Sequence, residues 1–387
     1  MKKTIKLALV AALALGATSA FATNGSVMIG TGTKALGMAG TGIGMAHGAE
    51  SALVNPALIT SVEGTQVSFG GTFFMPDVSN DAGAGYEDSA ADLSVVPMVA
   101  TTTQVTDNLF VGVGMWGTAG MGVDYRDYAN NYRMVTNLQL MQFGVPVAYK
   151  VAGFSVAVTP LLQYGALDIN YDTGAGTATG TTNGNGVSQD LSFGYNIGLA
   201  YEVSGFTVGA VYKSKIDMEY KGQLSGAMAG FGQTYTNDTL STPAELGIGV
   251  SYAFAEHTVA LDYKKIDWEN AEGYKDFKWE NQNVISLGYE YASKSWAARV
   301  GYNYASSPIT DQGVAGSLLN TFNLLGFPGI VETHYALGGT YNLSEQTSMD
   351  IAYVYSPETE ETFVNGAGTI STKHSQSALS LAVNFEF

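Results

Sequence analysis

The sequence predicts an all-β protein, a closed antiparallel barrel of fourteen strands that spans a membrane and holds a plug in its lumen. Three observations point to this fold class. Apolar residues alternate with small or polar ones along fourteen segments of strand length. The connections between these segments are short and long in turn, and a Gly/Ala-rich stretch without bulky side chains precedes the first segment. Together they describe a wall of strands and a compact filling.

Fourteen segments have strand length, and many of them alternate cleanly with a period of two. They lie near 65–75, 93–104, 109–117, 138–150, 154–170, 191–203, 206–220, 243–254, 257–266, 284–292, 296–305, 331–343, 347–356 and 374–387. In the sixth segment, Leu191, Phe193 and Tyr195 share one face, opposite Ser192 and Gly194. Alternation alone is equally compatible with a soluble sandwich, in which the apolar face points inward.

The lengths of the connections favour the membrane barrel. Six connections are tight: 105–108, 151–153, 204–205, 255–256, 293–295 and 344–346. Seven are long: 76–92, 118–137, 171–190, 221–242, 267–283, 306–330 and 357–373. Bacterial outer-membrane barrels have short periplasmic turns and long outer loops, whereas soluble sandwiches show no such order. We therefore expect both ends of the barrel domain on the periplasmic side.

Composition and the N-terminus agree with an exported membrane protein. Residues 1–22 combine three lysines, an apolar run and a small-residue end at Ala22, which predicts a signal peptide cleaved after that residue. Without those lysines the chain has 14 basic and 34 acidic residues, a net charge of −20, so nucleic acid is not an expected partner. The sequence has no Cys, which excludes zinc sites with thiolate ligands, and only 13% charged residues.

The segment 23–64 is predicted to be the plug. It is crowded with Gly and Ala and nearly free of charge, too poor in bulky side chains to build a core of its own. Eight strands leave a filled interior and sixteen leave an aqueous channel, so a fourteen-stranded wall has a wide lumen that such a segment could close. The expected domains are the signal peptide 1–22, a hatch 23–64 and the barrel 65–387.

Four features together resemble the FadL/TodX family of outer-membrane transporters. They are the tripeptide Asn55-Pro56-Ala57 behind the Gly/Ala-rich run, the hatch itself, the strand number, and a last alternating strand that ends on Phe387. The resemblance implies a barrel in the outer membrane of a Gram-negative bacterium, through which hydrophobic compounds diffuse passively past the hatch. It also implies that these compounds leave sideways into the membrane.

The resemblance implies long-chain fatty acids or similar lipids as substrates, with aromatic hydrocarbons as the alternative. The implied partners are such a hydrophobic molecule, the lipids of the outer membrane, and the assembly machinery that reads a C-terminal Phe such as Phe387. We expect no cofactor, no enzymatic activity and a monomer. A general pore, or a structural or adhesive barrel without a ligand, is the competing class of protein.

The scarce basic residues of the barrel suggest a site for a carboxylate. Alternation places Lys213, Lys215, Lys264 and Arg299 on the inner face of their strands, where they could bind a fatty-acid head group. The alternative is ordinary pairing with lumenal acids such as Asp262, Glu290 and Asp350, or with the hatch. The residues alone do not decide between the two.

Apolar side chains in two outer loops suggest a capture surface. They are Leu224, Met228 and Phe231 in the loop 221–242, and Phe322 and Phe327 with several leucines in the loop 306–330. Apolar patches on outer loops usually mark binding surfaces. In the family the third and fourth outer loops are associated with the capture groove. Here the third loop is rich in Gly, Thr and Asn, so the sixth could supply the groove instead.

A sideways exit requires a strand that breaks its ladder. The third strand is the candidate, because Gly112, Gly114, Gly117 and Gly120 crowd its second half, and glycine within a strand often marks a bulge or a close approach. By resemblance to the family, Asn55-Pro56-Ala57 is expected to contact the wall near Gly114–Gly120. The alternative is that these glycines only make room for the hatch.

Other motifs carry no chemistry. The glycine-rich run Gly40-Thr41-Gly42-Ile43-Gly44 lacks the spacing, the preceding strand and the lysine of a phosphate loop, and we interpret it as a packing segment. The four histidines lie far apart without ligand spacing, and no nucleophile elbow occurs. The acidic tip Glu358–Glu361 has no defined calcium spacing and is interpreted as a solvated loop.

Overall fold

The computed structural model describes residues 23–172, 182–184, 186–231 and 235–387. Within them, fourteen antiparallel strands form one closed wall, as the sequence predicts. The strands are β1 (Thr65–Asp81), β2 (Ser94–Gln104), β3 (Leu109–Asp124), β4 (Val135–Gly144 and Val147–Val151), β5 (Phe154–Asp172), β6 (Ser188–Val203), β7 (Phe206–Lys213), β8 (Ala244–Phe254), β9 (His257–Asp267), β10 (Gln282–Ala292), β11 (Trp296–Ala305), β12 (Thr333–Asn342), β13 (Thr347–Asn365) and β14 (Gly368–Glu386).

The wall closes between its last and first strands. Strand β14 pairs with β1 over sixteen consecutive positions, from Ser371 opposite Asp81 to Glu386 opposite Gln66. The backbone of Phe387 then exchanges two hydrogen bonds with Thr65, which ends the ladder at the periplasmic rim. Closure leaves no open edge, which is the condition for a sheet to exist inside a bilayer, where unpaired backbone groups find no water.

The outer face of the wall is apolar in the way a lipid-facing surface requires. Large hydrophobic side chains that point outward stay exposed, for example Phe193 and Leu261, while the residues between them face the lumen. Near the periplasmic turns the rings of Phe206, Tyr252 and Phe254 stack in a row, 4.2 and 5.5 Å apart between centroids. Such aromatic girdles lie at the boundary between lipid and water.

Six strands differ clearly from the bounds that the sequence predicts. Strand β1 runs to Asp81 and β3 to Asp124, beyond the predicted ends at 75 and 117. Strand β4 is interrupted at Pro146, because proline has no N–H to donate to the ladder. The carbonyl of Pro146 still accepts from the amide of Gly112. Strand β7 stops at Lys213. A hairpin of Ile216–Glu219 and Thr239–Thr242 follows as a separate small sheet and packs against Gly165 of β5 and Gly194 of β6. Strands β13 and β14 extend far beyond the membrane as a hairpin across the predicted loop 357–373, because their alternation continues there.

The hatch lies inside the barrel, and nearly all of its side chains are buried. It begins with a hairpin of two short strands, Thr23–Asn24 and Val27–Met28. An α-helix (Thr33–Gly37) and two 3₁₀-helices (Gly48–Leu53 and Pro56–Ser61) follow before the chain enters β1. Small side chains let these short elements pack closely on the wall, which is what the composition of this segment predicts.

The outer loops carry further short elements. These are the short strands Glu87–Asp88 and Thr182–Asn183, the 3₁₀-helices Ala129–Asn131, Trp268–Asn270 and Val314–Gly316, the α-helices Leu224–Gly230 and Ser317–Thr321, and the π-helix Phe322–Gly326. Part of the third outer loop, 173–181, lies outside the described residues. In the described part of the chain no helix is long and apolar enough to cross a membrane.

The hatch position predicts the effect of its removal. Deleting Thr23 to Thr60 should leave the wall strands intact and open a wide aqueous lumen, because the hatch side chains fill the barrel. We expect large, steady single-channel currents in planar bilayers, where the intact chain gives little current. Heat-modifiability on gels serves as the control for barrel folding. A deletion variant that folds and conducts no better than the intact chain would contradict the plug assignment.

Candidate functional site: the hatch and the wall it closes

The third strand breaks its ladder where the glycines cluster. Strand β3 pairs with β2 only up to Trp116, and its pairing with β4 shifts register between Gly117 and Ala119. From this bulge onward the residues 117–123 are all buried, whereas burial alternates in the first half of the strand. The resulting gap between β2 and β3 above Trp116 is called the seam.

The hatch hairpin fills the seam. Val27 pairs with Ala119 in the place that a residue of β2 would occupy in an unbroken ladder. The amide of Gly120 donates to the carbonyl of Ser26 over 3.1 Å. Met28 packs against Val96 on the other side of the seam. The hairpin therefore supplies a short extra strand to the wall, and its removal would leave β3 without these backbone partners.

At two positions of the third strand, close packing leaves room only for glycine. A methyl group at Gly114 would lie 2.8 Å from the Trp116 ring and 3.0 Å from Leu53 of the hatch. One at Gly112 would meet the carbonyl of Thr101 at 2.7 Å. On the lipid side of this region lie two apolar depressions of about 400 and 190 Å³, which share Val99 and Met115 in their linings. The outer side of the wall around the seam is thus apolar.

The Asn-Pro-Ala tripeptide contacts a different part of the wall from the one expected. The Asn55 side chain donates to the carbonyl of Leu199 in β6 over 3.1 Å and to that of Ile43 in the hatch over 2.8 Å. A methyl group at Gly198 would collide with the tripeptide. The side-chain contacts of Asn55 therefore lie on β6 and not near Gly114–Gly120 as expected, although the 3₁₀-helix that begins at Pro56 also lies against β3. Asn55 also accepts from the amide of Ala57, which starts the following 3₁₀-helix.

The glycine-rich run Gly40–Gly44 binds an anionic group, the carboxylate of a wall residue. Gly42, Ile43 and Gly44, called the amide loop, donate their three backbone N–H groups to Asp262 of β9, over 2.7, 2.8 and 3.3 Å. Successive backbone amides that converge in this way form a concavity suited to an anion. The carbonyl of Gly44 accepts from Ser251 over 2.7 Å.

Each of the four cations predicted to bind a head group has a carboxylate partner in the protein. Lys213 and Lys264 both lie beside Glu245, at 3.5 and 3.1 Å. Arg299 donates to Glu290 over 2.6 Å and also to Thr340. These contacts favour internal pairing, the alternative that the sequence left open.

Lys215 does not lie on the wall strand that was predicted to hold it. Because β7 ends at Lys213, Lys215 lies past the end of this strand, beside Asp217 of the following hairpin at 3.2 Å and Glu272 at 4.0 Å.

A cavity between hatch and wall adjoins the lysine pair. Its volume is about 30 Å³, enough for a few water molecules and far too small for a fatty acid. Glu245, Asp262 and both lysines line its wall side. Sequence reasoning missed Glu245, although the alternation of β8 places it on the same inward face as Gly247, Gly249 and Ser251.

A second polar network links the middle of the hatch to the wall strands β1 and β13. Glu50, which is buried, accepts from Ser68 of β1 and from the amide of Lys34, each over 3.0 Å. The Lys34 ammonium lies 3.9 Å from Asp350 of β13. Burial, followed by the neighbouring Asp350 charge, raises the pKa of Glu50 to about 7. Burial lowers the pKa of His47 to about 4, so this histidine is neutral where it contacts the carbonyl of Thr41.

The apolar loop residues form a packed cap, not an open surface. The five predicted capture residues are all at most 2% exposed: Leu224, Met228, Phe231, Phe322 and Phe327. Phe231 and Phe277 contact Phe322 with ring centroids 5.3 and 5.0 Å apart, which joins three outer loops. The expected open groove was wrong for these residues, because large apolar rings on neighbouring loops bury one another. Leu318 and Val314 remain exposed.

The cap also covers the hatch hairpin. Gly25 lies against the indole rings of Trp268 and Trp279, where a methyl group would be 2.8 and 3.1 Å from ring carbons. Ser26 shares a hydrogen bond of 2.9 Å with the Tyr274 hydroxyl. The backbone amide of Thr23 donates to Gln376 of β14 over 3.1 Å.

A wide barrel closed by an N-terminal hatch, with an apolar wall and one interrupted strand, defines a class of outer-membrane transport channel. The family model described as "Outer membrane protein transport protein (OMPP1/FadL/TodX)" matches residues 13–387. The chain belongs to this family. It is a transport protein of the outer membrane for hydrophobic compounds, and not an enzyme.

Named relatives and solved structures are similar over nearly the whole chain. The "Long-chain fatty acid transport protein" of Escherichia coli is 24% identical over 422 residues, covering 90% of this chain and 92% of that protein. The "47 kDa outer membrane protein" of Pasteurella multocida is also 24% identical, with the same shares covered. The structure of a Pseudomonas aeruginosa FadL homologue matches with a TM-score of 0.71 at 15% identity, over 94% of this chain and all of that one. The P. putida toluene transporter TodX matches at 0.69 and 17%, over 93% and 99%.

The pKa of Glu50 predicts how hatch stability depends on pH. A carboxyl whose folded pKa lies above its unfolded value of 4.5 stabilises the fold least at high pH, because the folded state favours its neutral form. Glu50→Gln is neutral at every pH. Its stability relative to the natural chain should therefore rise between about pH 4.5 and 7 and stay level above, by at most about 3 kcal/mol.

The measurement is the difference in melting temperature between the two proteins in detergent across this pH range. The contribution of His47 is present in both proteins and cancels in the difference. A difference that is flat with pH, or that falls as pH rises, would contradict the raised pKa.

Proposed function

We propose that this protein carries uncharged hydrophobic molecules passively into the outer membrane, by way of the cap, the space beside the hatch, and the seam between β2 and β3. The seam is the observation that carries the proposal. In it, backbone groups of a membrane strand are paired with a removable segment, the hairpin 23–28, instead of with a neighbouring wall strand. The driving force is the transfer of apolar surface out of water, which requires no nucleotide.

The surroundings of the seam support a sideways exit. The two lipid-side depressions flank it, and their shared residues Val99 and Met115 are apolar. A molecule that leaves through the seam enters hydrocarbon directly, with no charged side chain among those that line the depressions. The proposed gating role of Gly112, Gly114, Gly117 and Gly120 is supported by the close contacts at the first two and by the register shift beside Gly117.

The charges of the lumen favour a neutral ligand over a carboxylate. Lys213 and Lys264 are balanced by Glu245 and Asp262, so the cavity they line has no excess positive charge. An incoming carboxylate would have to compete with a buried glutamate that is already in place. A fatty acid is the second candidate. The name of the E. coli relative, together with the two lysines at the cavity, supports it.

A matched pair of ligands separates the two substrates. We expect the natural chain to bind hexadecanol more tightly than hexadecanoate. Glu245→Gln frees one or both lysines from their carboxylate partner. The affinity for hexadecanoate should then rise about 10- to 100-fold, the effect of one charge-assisted hydrogen bond of about 1.5–3 kcal/mol. The affinity for hexadecanol should stay the same. Calorimetry in detergent measures both.

Glu290→Gln is the matched control, because it removes a lumenal carboxylate that does not line the cavity. If the natural chain binds the acid more tightly than the alcohol, and Lys213→Gln with Lys264→Gln removes that preference, the fatty-acid reading replaces the neutral one. Failure of both ligands to bind would overturn the proposed uptake function.

A further inference from the structure

We propose that Asp262 is a positioning residue that fixes the inner half of the hatch, the part around the amide loop, to the wall. Only the hairpin 23–28 then moves during transport. Asp262 is 3% exposed, and its carboxylate accepts three backbone hydrogen bonds from the amide loop. Burying an ionised carboxylate costs free energy unless several hydrogen-bond donors replace the water that it loses. Here the hatch backbone supplies these donors. The charge of Asp262 therefore stabilises the contact between the hatch and the wall.

The wall is shaped to receive the amide loop. Gly209 of β7 and Gly249 of β8 lie under it, and a methyl group at either position would collide with the loop backbone. Ser251 holds the carbonyl of Gly44, and Asn55 holds that of Ile43. The N–H groups of the loop and two of its carbonyls are thus paired, and the contact extends across β6 to β9.

The two halves of the hatch are held by different kinds of contact. The described hydrogen bonds of the hairpin are neutral: Thr23 to Gln376, Ser26 to Tyr274 and Gly120 to Ser26. Hydrogen bonds to an ionised group stabilise roughly twice as much as neutral ones. In the closed sheet, β9 also lies seven strands from β2, across the lumen from the seam. The hairpin can therefore leave the seam while the amide loop stays on Asp262.

The proposal rests on the hatch closing the lumen and is independent of the substrate. It predicts that Asp262→Asn loosens the inner half of the hatch and turns a closed barrel into one that leaks ions. Current through planar bilayers without any hydrophobic ligand should rise at least tenfold. Glu290→Gln, which removes a lumenal carboxylate paired within the wall, should leave the current unchanged.

A thiol provides a local measurement that a general loss of stability would not reproduce. The chain has no cysteine, so Met45→Cys, one residue beyond the amide loop, introduces a single buried thiol. With Asp262→Asn its reaction rate with a maleimide should rise at least tenfold, and with Glu290→Gln it should not change. Heat-modifiability on gels must show a folded barrel in each case.

A second variant keeps the test decisive if Asp262→Asn does not fold. Gly209→Ala keeps Asp262 and puts a methyl group against the carbonyl of Ile43 in the amide loop, so it should displace the loop and give the same leak and the same fast labelling. Folded variants of both kinds with the current and labelling rate of the natural chain would overturn the proposal. Since no hydrophobic ligand is present, that outcome would leave the proposed substrate class untouched.

Discussion

Every backbone N–H and C=O at membrane depth must find a partner within the protein, and this constraint explains most of the architecture. It requires the sheet to close, which the ladder between β14 and β1 achieves. Closure with fourteen strands creates a lumen too wide for wall side chains to fill, so a separate segment has to occupy it. The same constraint then applies to the seam, where β3 leaves β2 and the hatch supplies the missing backbone partners.

The hatch is consequently both a plug and a part of the wall, and these two roles make different demands. A plug has to stay in place against thermal motion, which the buried carboxylate of Asp262 and the surrounding contacts of the amide loop provide. A removable piece of wall has to leave at a modest cost in free energy, which the neutral contacts of the hairpin allow. The covering aromatic cap keeps water from the hairpin and must itself loosen before a molecule can enter.

The wall was readable from the sequence because one simple rule governs it. Alternation with a period of two, with short and long connections in turn, predicted all fourteen strands. The bounds were wrong where a proline or a loop hairpin changed the local pairing, and β1 and β3 continued beyond their predicted ends. The break in β3 was also readable, since its glycines mark it. These are local properties, set by neighbours in sequence and by the two-sided environment of a strand.

Contacts between distant segments were not readable in the same way. The family resemblance pointed Asn55 toward β3, whereas its partners lie on β6 and in the hatch. The glycine-rich run was interpreted as mere packing because its acceptor, Asp262, lies more than two hundred residues away. The loop aromatics were expected to be exposed, since nothing local reveals that three loops bury each other. In each case the pattern identified the residue, and the partner depended on how the closed barrel brought segments together.

A reversible crosslink across the seam tests the central claim most directly, that the hairpin must leave the wall for a substrate to pass. Val27→Cys and Ala119→Cys place two thiols on paired residues of the hairpin and β3, in a chain that has no other cysteine. Uptake of a labelled neutral hydrocarbon by proteoliposomes should stop when the two thiols are joined and return when the bond is reduced, with Val27→Cys alone as the control. Undiminished uptake by the crosslinked protein would contradict exit through the seam.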